Sequence, residues 1–280
     1  MGSYFANSFF ISRLSIRKKI EKVGIEVTEQ DSYVLSVVSK YKLSDTIDYY
    51  TQSNIIDPLS RLIHAWAGQY LVDIKLSGSR AKGDAISLSS DLDLFISLSS
   101  TTPYDLKYIY YNLCDYIQQN KIQIRKQNVS IGVTYQNRKI DLVPARRQDV
   151  HGNYHSLYKR KQDSWMQTNI DLHINNVRRS SRITEITALK IWKELHNLEF
   201  PSIYLETYAL ETLSGKNRYD YANNFADLLR DLATNFQTTR VVDPANTNNV
   251  LSDDLTEKEK EKIAWQAAFD LKKNWNQVIW

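Results

Sequence analysis

The chain has 280 residues, of which 42% are hydrophobic and 24% charged, a globular composition that excludes disordered and fibrous proteins. The 36 basic and 32 acidic residues leave a net charge of +4, too small for a general nucleic-acid-binding surface, although local basic patches can still bind phosphates. A single cysteine, Cys114, excludes an internal disulfide framework and any site of several thiolates. No stretch approaches the roughly 18 apolar residues of a membrane-spanning helix, so we expect a cytoplasmic protein.

The first seventy residues have the periodicity of helices. Mixed apolar and charged segments predict helices over residues 12–27 and 31–51, and Asp31 is a candidate N-cap of the second helix. Asp57-Pro58 predicts the start of a third helix, because proline is tolerated in a first turn. We expect these helices to brace the rest of the fold.

The pattern then changes to that of strands. Apolar and polar residues alternate over 70–76, which is the period of a half-buried strand. Further strands are predicted over 92–98, 122–126, 129–135 and 139–143, with a helix over 103–119. This order predicts an α+β lobe with a mixed sheet of about five strands.

Past Pro144 the strand signal fades and helical patterns return. Residues 146–182 are polar and basic, and we expect them to cross between two lobes. Helices are predicted over 183–197, 202–213, 219–236 and 256–275. We therefore predict a mixed-sheet lobe with N-terminal bracing helices over residues 1–165 and an α-helical lobe over residues 166–280.

Three aspartates of the strand region form the strongest chemical pattern. Asp91 and Asp93 alternate on a predicted strand and so share one face, about 6.6 Å apart at strand rise. Asp141 lies between Ile140 and Leu142, in a strand that would otherwise be apolar. Carboxylates this close repel each other unless they share a cation, and oxygen donors without Cys or His suit Mg²⁺ or Mn²⁺. We therefore predict that the three aspartates bind metal and catalyse in-line phosphoryl or nucleotidyl transfer.

A Gly-Ser turn between the first two strands supplies a phosphate-binding element. Gly78 allows backbone N–H groups to approach a phosphate, Ser79 adds a hydroxyl, and the next residues begin a helix whose N-terminus attracts anions. A single Asp-x-Asp more often consists of solvated loop acids. The combination of Gly-Ser, Asp-x-Asp on a strand and a later strand aspartate is far rarer and favours the catalytic interpretation.

The run LSGSRAKGDAISLSSDLDLFISL, residues 76–98, resembles the signature of the DNA polymerase β-like nucleotidyltransferase superfamily. More narrowly, it resembles the bacterial cGAS/DncV-like nucleotidyltransferases (CD-NTases), which make cyclic oligonucleotide signals in anti-phage defence. The resemblance implies that Gly78 and Ser79 hold the donor triphosphate and that Asp91 and Asp93 bind both metals. It also implies that Asp141 completes the metal site and helps to deprotonate the attacking hydroxyl.

Three later features extend the resemblance. Lys190 lies on an inward helical stripe, where relatives place a lysine against the donor phosphates; the alternative is a snorkelling lysine. An inward lysine needs an anionic partner. Ser202 begins the next helix, where relatives place a serine beside the triphosphate, or it is a plain N-terminal helix residue. Residues 241–250 resemble the family's Asp-Pro…Asn-Asn-Val segment, with Thr247 in place of a usual proline.

These features predict a nucleotidyltransferase that uses Mg²⁺ or Mn²⁺ to join ATP and a second nucleoside triphosphate into a cyclic oligonucleotide. By resemblance, we expect an adenosine-containing dinucleotide that acts as a second messenger on a separate effector in anti-phage (CBASS) signalling. We expect a monomer that binds neither long nucleic acid nor membranes. The alternatives are a tRNA CCA-adding or oligoadenylate-type transferase and a nucleotide-binding pseudoenzyme scaffold.

Overall fold

The computed structural model describes residues 27–89 and 91–280. Within them the helices are α1 (Glu29–Tyr41), α2 (Tyr49–Thr51), α3 (Asp57–Ala67), α4 (Gly78–Lys82), α5 (Leu106–Gln119), α6 (Ile170–Arg178), α7 (Ile183–Leu195), α8 (Ser202–Thr212), α9 (Tyr221–Thr234), α10 (Glu257–Asp270) and α11 (Trp275–Val278). The strands are β1 (Leu71–Ser77), β2 (Leu92–Leu98), β3 (Gln123–Lys126), β4 (Ile131–Tyr135), β5 (Arg138–Arg147), β6 (His155–Lys159), β7 (Ser164–Thr168), β8 (Val242–Asp243) and β9 (Asn246–Val250). The helix predicted over 12–27 lies, apart from Val27, outside the described residues.

The chain folds into two compact units. The sheet unit contains Ser44–Gly83 and residues 91–176, and the helical unit contains residues 27–43, Asp84–Ser89 and Val177–Trp280. The chain therefore passes between the units more than once, whereas the predicted division at residue 165 is a single cut. In particular, the segment between the Gly-Ser turn and the Asp-x-Asp motif belongs to the helical unit.

The sheet unit is built on a mixed sheet. Within the described residues it has seven strands, with the main order β1-β2-β5-β4-β3, while β6 pairs with β5 and β7. The central strands β2 and β5 run parallel, and the other neighbours are antiparallel. A parallel pair is usually covered on both faces, which agrees with the burial of most β2 side chains.

Side-chain alternation gives the central strands two different faces. Leu94 of β2 and Leu142 of β5 belong to the core that also contains apolar residues of α3 and α5. Phe95 packs in a smaller cluster on the opposite face. Because Asp93 precedes Phe95 by two residues, and Asp141 precedes Leu142 by one, both aspartates lie on this second face, away from the α3 and α5 core.

The five strands predicted before Pro144 are confirmed, with ends shifted by a few residues. The prediction that strand structure stops there is wrong. β5 continues to Arg147, and β6 and β7 follow as a hairpin before α6, in the stretch that we expected to cross between lobes. Strands of an antiparallel hairpin need few apolar anchors, since one face is enough to hold them, and the sequence signal was correspondingly weak.

Helix α1 begins and ends earlier than predicted. The Thr28 hydroxyl accepts the Asp31 N–H at 3.0 Å, while the Asp31 carboxylate accepts the Thr28 N–H at 3.2 Å. This is a capping box, so Thr28 is the N-cap and Asp31 lies three residues inside the helix. The other Asp31 oxygen accepts the N–H of Ala222 at 2.8 Å, which fastens α1 to the first turn of α9.

Helix α7 is the centre of the helical unit. Ile186, Leu189 and Trp192 are fully buried in its core, and every residue from Glu185 to Trp192 is buried, the polar ones included. The Trp192 indole N–H donates to Asp270 Oδ2 at 2.8 Å, which joins α7 to α10. Among the described residues, none of the helices combines the length and apolar character needed to span a membrane.

Candidate active site

The two central strands place two of the predicted aspartates side by side. In the parallel pairing of β2 with β5, Asp93 is the register partner of Asp141. Ser77, the last residue of β1, pairs with Asp93 from the other side. Neighbouring strands lie about 4.8 Å apart, so two half-buried carboxylates on one face occupy a small region.

The turn after β1 packs directly on this region. Gly78 begins α4 with a φ of +60°, and a Cβ added to it would lie 1.8 Å from Asp93 Oδ2. The Asp93 carboxylate therefore lies against the Gly78 backbone, an approach that only glycine permits. The Ser77 hydroxyl also donates to the Asp93 carbonyl at 3.3 Å. These contacts fix the Gly78 turn next to Asp93.

The rest of the turn forms the single-turn helix α4. Ser79 is the second residue of α4 and is half-buried. The Gly83 N–H donates to the Ser79 carbonyl at 3.0 Å, and Gly83 ends the helix in the left-handed conformation, with a φ of +82°. The structure therefore places Ser79 directly after Gly78, in the turn that packs on the Asp93 carboxylate, and its phosphate-binding role stays a prediction.

Two polar residues of the β3–β4 turn hold Asp141. Gln127 Nε2 donates to Asp141 Oδ1 at 2.9 Å, and Ser130 Oγ lies 2.7 Å from Gln127 Oε1 and 3.4 Å from Asp141 Oδ2. Burial, followed by the negative charge of Asp91, raises the pKa of Asp141 above its ordinary value. Ionising Asp141 thus costs free energy in the protein alone, and a nearby cation would lower that cost.

The donor chemistry of the three aspartates fits a hard divalent cation. The charge of Asp91 acts on Asp141, and Asp141 pairs with Asp93, so all three contribute to one negative region. Oxygen donors without sulfur or imidazole suit Mg²⁺ or Mn²⁺. Within residues 27–89 and 91–280, no three His, Cys, Asp or Glu side chains already have the arrangement of a metal site. The bound metal therefore stays a prediction.

Lys190 finds its anionic partners inside the helical unit. Its Nζ donates to Asp84 Oδ2 and to Glu206 Oε1, both at 2.6 Å, and its side chain is only 6% exposed. Burial alone would lower the pKa of Lys190, but the charges of Glu206 and Asp84 outweigh burial and raise that pKa. The partner that an inward lysine requires is thus a pair of carboxylates, and a contact with donor phosphates stays a prediction.

The other two predicted features of the helical unit lie on its later elements. Ser202 is the first residue of α8 and is exposed. The Asp-Pro…Asn-Asn-Val segment forms the β8–β9 hairpin. There the buried Asp243 accepts the Ala245 N–H at 2.8 Å and the Asn249 side-chain amide at 3.1 Å. These bonds give the aspartate of the motif a structural role in its own turn.

Gln127 and Ser130 were not predicted as site residues from the sequence. The sequence did contain a signal, which is Gly132 inside the strand predicted over 129–135. In the structure β4 pairs with β5 so that Gly132 lies opposite Asp141. A Cβ at Gly132 would lie 2.9 Å from Gln127 Nε2 and 3.3 Å from Asp141 Oδ1. A glycine inside a predicted strand often marks a close approach of other groups, and here the polar turn beside it supplies them.

Comparison with known proteins identifies the fold. No protein-family profile and no curated protein matches the sequence. The CD-NTase CdnG of Bradyrhizobium diazoefficiens in complex with GTP matches at a TM-score of 0.72 and 11% identity, covering 87% of this chain and 90% of that chain. CdnC of E. coli MS115-1 with ATP matches at 0.66 and 18% identity, covering 83% and 88%. The cyclic dinucleotide synthase CdnE of Elizabethkingia meningoseptica, with GTP and Apcpp, matches at 0.63 and 14% identity, covering 87% and 99%.

This chain has the fold of the bacterial CD-NTases. The predicted α+β class, with a mixed sheet and a helical region, is confirmed. The matches cover most of the chain, so the likeness is to the whole fold and not to the sheet alone. A fold can host several chemistries, so the reaction depends on the three aspartates and the Gly78 turn and not on the fold alone.

Proposed function

We propose that this protein is a nucleotidyltransferase that uses Mg²⁺ or Mn²⁺ to join ribonucleoside triphosphates into a cyclic oligonucleotide. The observation that carries the proposal is the pairing of Asp93 with Asp141 on the parallel central strands, with the Gly78 turn packed on Asp93. Structures of the same fold include complexes with ATP and GTP and a protein named as a cyclic dinucleotide synthase. Adjacent carboxylates beside a glycine turn favour nucleotide transfer over other reactions of this fold.

Asp91, Asp93 and Asp141 would hold the divalent cation. When bound, it would neutralise phosphate charge and favour ionisation of the attacking hydroxyl. The Gly78 turn lets the donor triphosphate approach the backbone, and Ser79 donates its hydroxyl to a phosphate oxygen. Asp141 accepts the proton of the attacking ribose hydroxyl.

In this proposal Lys190 also binds the phosphates of the donor. An ammonium group has three N–H donors, and the contacts to Asp84 and Glu206 use two of them. We propose that the third donates to a phosphate oxygen while both carboxylate contacts are kept. Ser202, exposed at the start of α8, is proposed to donate to the same triphosphate.

We further propose that the product is a cyclic dinucleotide with at least one adenosine. It would act as a second messenger on a separate effector protein in anti-phage (CBASS) defence. This finer assignment is supported by the resemblance of residues 76–98 and 241–250 to the CD-NTases. The modest net charge of +4 favours free nucleotides over a long RNA as acceptor.

The test is incubation of the purified protein with the four ribonucleotides and Mg²⁺ or Mn²⁺, followed by phosphatase digestion and mass spectrometry. We expect a phosphatase-resistant product, whose mass also identifies the bases. Extension of labelled tRNA without a resistant small product would assign the protein to the CCA-adding or oligoadenylate-type transferases. Nucleotide binding without turnover under any of these conditions would assign it to the pseudoenzyme scaffolds.

Matched variants connect the activity to the site. Asp91→Ala and Asp93→Ala are expected to abolish transfer and leave the protein folded, since removing like charges relieves repulsion. Chelation of the metal is expected to do the same in the wild type. Asp115→Asn, an exposed aspartate on α5, serves as the control and should keep full activity. Full turnover by the double Asp91/Asp93 alanine variant would reject the proposed site.

A further inference from the structure

A polar cavity of about 300 Å³ lies in the sheet unit, where β2 and β5 begin. Its walls include the cations Arg80, Arg138 and Lys139 and the carboxylates of Asp48 and Asp91. Three cations thus face two carboxylates. The steps proposed above use neither Arg80 nor Arg138, so these two arginines have no role yet.

Arg80 is only partly satisfied in its position on α4. One terminal nitrogen donates to the Ser44 carbonyl at 2.9 Å, while the buried Nε has no acceptor among the described residues. Burial, followed by repulsion from Arg138, lowers the pKa of Arg80 by more than Asp48 and Asp45 raise it. A buried donor without a partner costs about 1–3 kcal/mol, so an acceptor that reaches this guanidinium would be bound favourably.

Arg138 is held in place by a tight hairpin. Gln136 and Asn137, which form the β4–β5 turn, have φ values of +48° and +59°, and Arg138 pairs with Tyr135 directly after them. Positive φ at both turn residues is typical of a type I′ hairpin, which fixes the register of the flanking strands. The exposed Arg138 side chain therefore starts from a rigid position on the cavity wall.

The carboxylate of Asp48 attracts both arginines but makes its hydrogen bonds elsewhere. Asp48 is the N-cap of α2, and its oxygens accept the Thr51 N–H at 2.8 Å and the Thr51 hydroxyl at 2.7 Å. These bonds lower the pKa of Asp48, so it is ionised at neutral pH. In the part of the chain that the structure describes, no salt bridge joins Arg80 or Arg138 to an acid.

We propose that this cavity is a phosphate-binding subsite in which Arg80 and Arg138 clamp one phosphate group. The planar guanidinium presents paired N–H donors that match phosphate oxygens, and an anion between the two arginines replaces their repulsion with attraction. Asp91 lines the same cavity, so the phosphate lies next to the proposed active site. The bound phosphate belongs either to a nucleotide or to the pyrophosphate that transfer releases. The identity of these two sources rests on the proposed function, whereas the binding of a phosphate by the two arginines does not.

The test is isothermal titration calorimetry in EDTA, with inorganic pyrophosphate and with AMP as separate probes. Without a divalent cation, phosphate affinity at the aspartates is suppressed, and the arginine subsite is observed alone. The wild type is expected to bind at least one probe, and Arg80→Gln and Arg138→Gln are each expected to weaken binding by about tenfold or more. Preference for pyrophosphate identifies the released product as the source, and preference for AMP identifies a bound nucleotide.

Two controls separate this inference from the proposed function. Arg61→Gln removes an exposed arginine from α3 of the same unit and should leave the affinity unchanged. Asp93→Asn should lose transfer but keep anion affinity. Wild-type protein that binds neither probe, or binding that neither arginine substitution weakens, would overturn the subsite. If Arg80→Gln does not fold, as judged by its melting curve, Arg138→Gln on the exposed hairpin decides alone.

Discussion

The carboxylate of Asp93 occupies the space that a side chain at position 78 would need. A Cβ on Gly78 would lie 1.8 Å from Asp93 Oδ2 and 2.6 Å from its Cγ. The backbone of the turn and the carboxylate are therefore immediate neighbours. One phosphate can contact both the backbone N–H groups of the turn and a cation bound to Asp93 only if the turn and Asp93 are adjacent.

Gly78→Ala is expected to abolish nucleotide transfer and to lower the free energy of unfolding by about 1–3 kcal/mol. Alanine is strained at a φ of +60°, and its Cβ would force Asp93 out of position. Urea unfolding measures the stability, and product formation from nucleoside triphosphates measures the activity.

Gly68→Ala is the matched control. Gly68 has a φ of +54°, but nothing lies within 4 Å of a Cβ built there. Its ψ of −133° is likewise a conformation that favours glycine, so the variant has backbone strain without the clash and should lose about 1–3 kcal/mol of stability and keep its activity. Equal losses of activity in the two variants would show that the contact between residue 78 and Asp93 is not what matters.

Lys190→Met is expected to destabilise the protein by about 3–5 kcal/mol, because it leaves two buried carboxylates without their cation. Lys193→Met provides the comparison on the same helix. Lys193 is 17% exposed and pairs with Glu194 at 2.9 Å, so its loss should cost at most about 1 kcal/mol. Similar melting temperatures for the two variants would mean that the Asp84–Lys190–Glu206 cluster does not stabilise the fold.

A neutralised background then isolates the phosphate-binding role of Lys190. Replacing Asp84 by Asn and Glu206 by Gln alongside Lys190→Met removes all three buried charges, and we expect stability to recover. The reference is the wild type, in which Lys190 keeps its two carboxylate partners. Weaker binding of ATP relative to AMP after loss of Lys190 would support a contact with the β and γ phosphates. Equal effects on both nucleotides, or no effect, would leave Lys190 a purely structural residue.

Local pattern explains what the sequence could predict. Alternation around Asp91 and Asp93 predicts a shared face, and the β2 and β5 strands follow from the apolar residues that flank Asp93 and Asp141. The Gly78 turn was also predictable, because the helix that begins there follows directly from Gly-Ser after a strand. Each of these inferences needs only the two-residue alternation of side chains along a strand or a glycine, Gly78, that permits a positive φ.

The parts that could not be predicted depend on pairings between distant residues. The register that sets Asp93 beside Asp141 joins residues more than forty positions apart in the chain. Lys190 was expected to need an anion, but its partners come from a segment more than a hundred residues earlier and from the next helix. No periodicity encodes such contacts, because they arise from packing of the whole fold.

The stability of the protein is expected to fall below about pH 6.5 because of His155. This buried histidine on β6 donates from Nδ1 to the Asn153 carbonyl at 2.9 Å, so its Nε2 accepts the Ser97 hydroxyl at 2.8 Å. Burial lowers the pKa of His155. His155 therefore binds a proton more tightly in the unfolded chain than in the folded protein. The stability that neutral His155 contributes is fully present above its pKa in the unfolded chain and is lost as the pH falls through its lower pKa in the folded protein.

Melting temperatures between pH 8 and pH 5 measure this effect. His155→Gln should have a flatter pH profile than the wild type, because its side chain does not titrate. His151→Gln removes an exposed histidine four residues earlier and should keep the wild-type slope. A wild-type slope in His155→Gln would assign the acid sensitivity to other groups.

Asp141→Asn is expected to stabilise the metal-free protein by about 0.5–2 kcal/mol while it abolishes transfer. Burial and the charge of Asp91 raise the pKa of Asp141 in the folded protein above its value in the unfolded chain. The folded protein is therefore destabilised as the pH rises through these two pKa values and Asp141 ionises. Asparagine lacks that charge, and its oxygen can still accept the hydrogen bond from Gln127 Nε2.

The prediction is checked by comparing melting temperatures of Asp141→Asn and wild type in EDTA and in excess Mg²⁺ at neutral pH. In EDTA the variant should melt higher. Added Mg²⁺ should raise the wild type more than the variant, because a cation that binds the folded state stabilises it by mass action and the variant has lost one carboxylate. Asp115→Asn, which changes an exposed carboxylate of the same unit, should follow the wild type in both conditions. A variant that melts lower than the wild type in EDTA would mean that the Asp141 carboxylate stabilises the fold by itself and that its charge does not call for a cation.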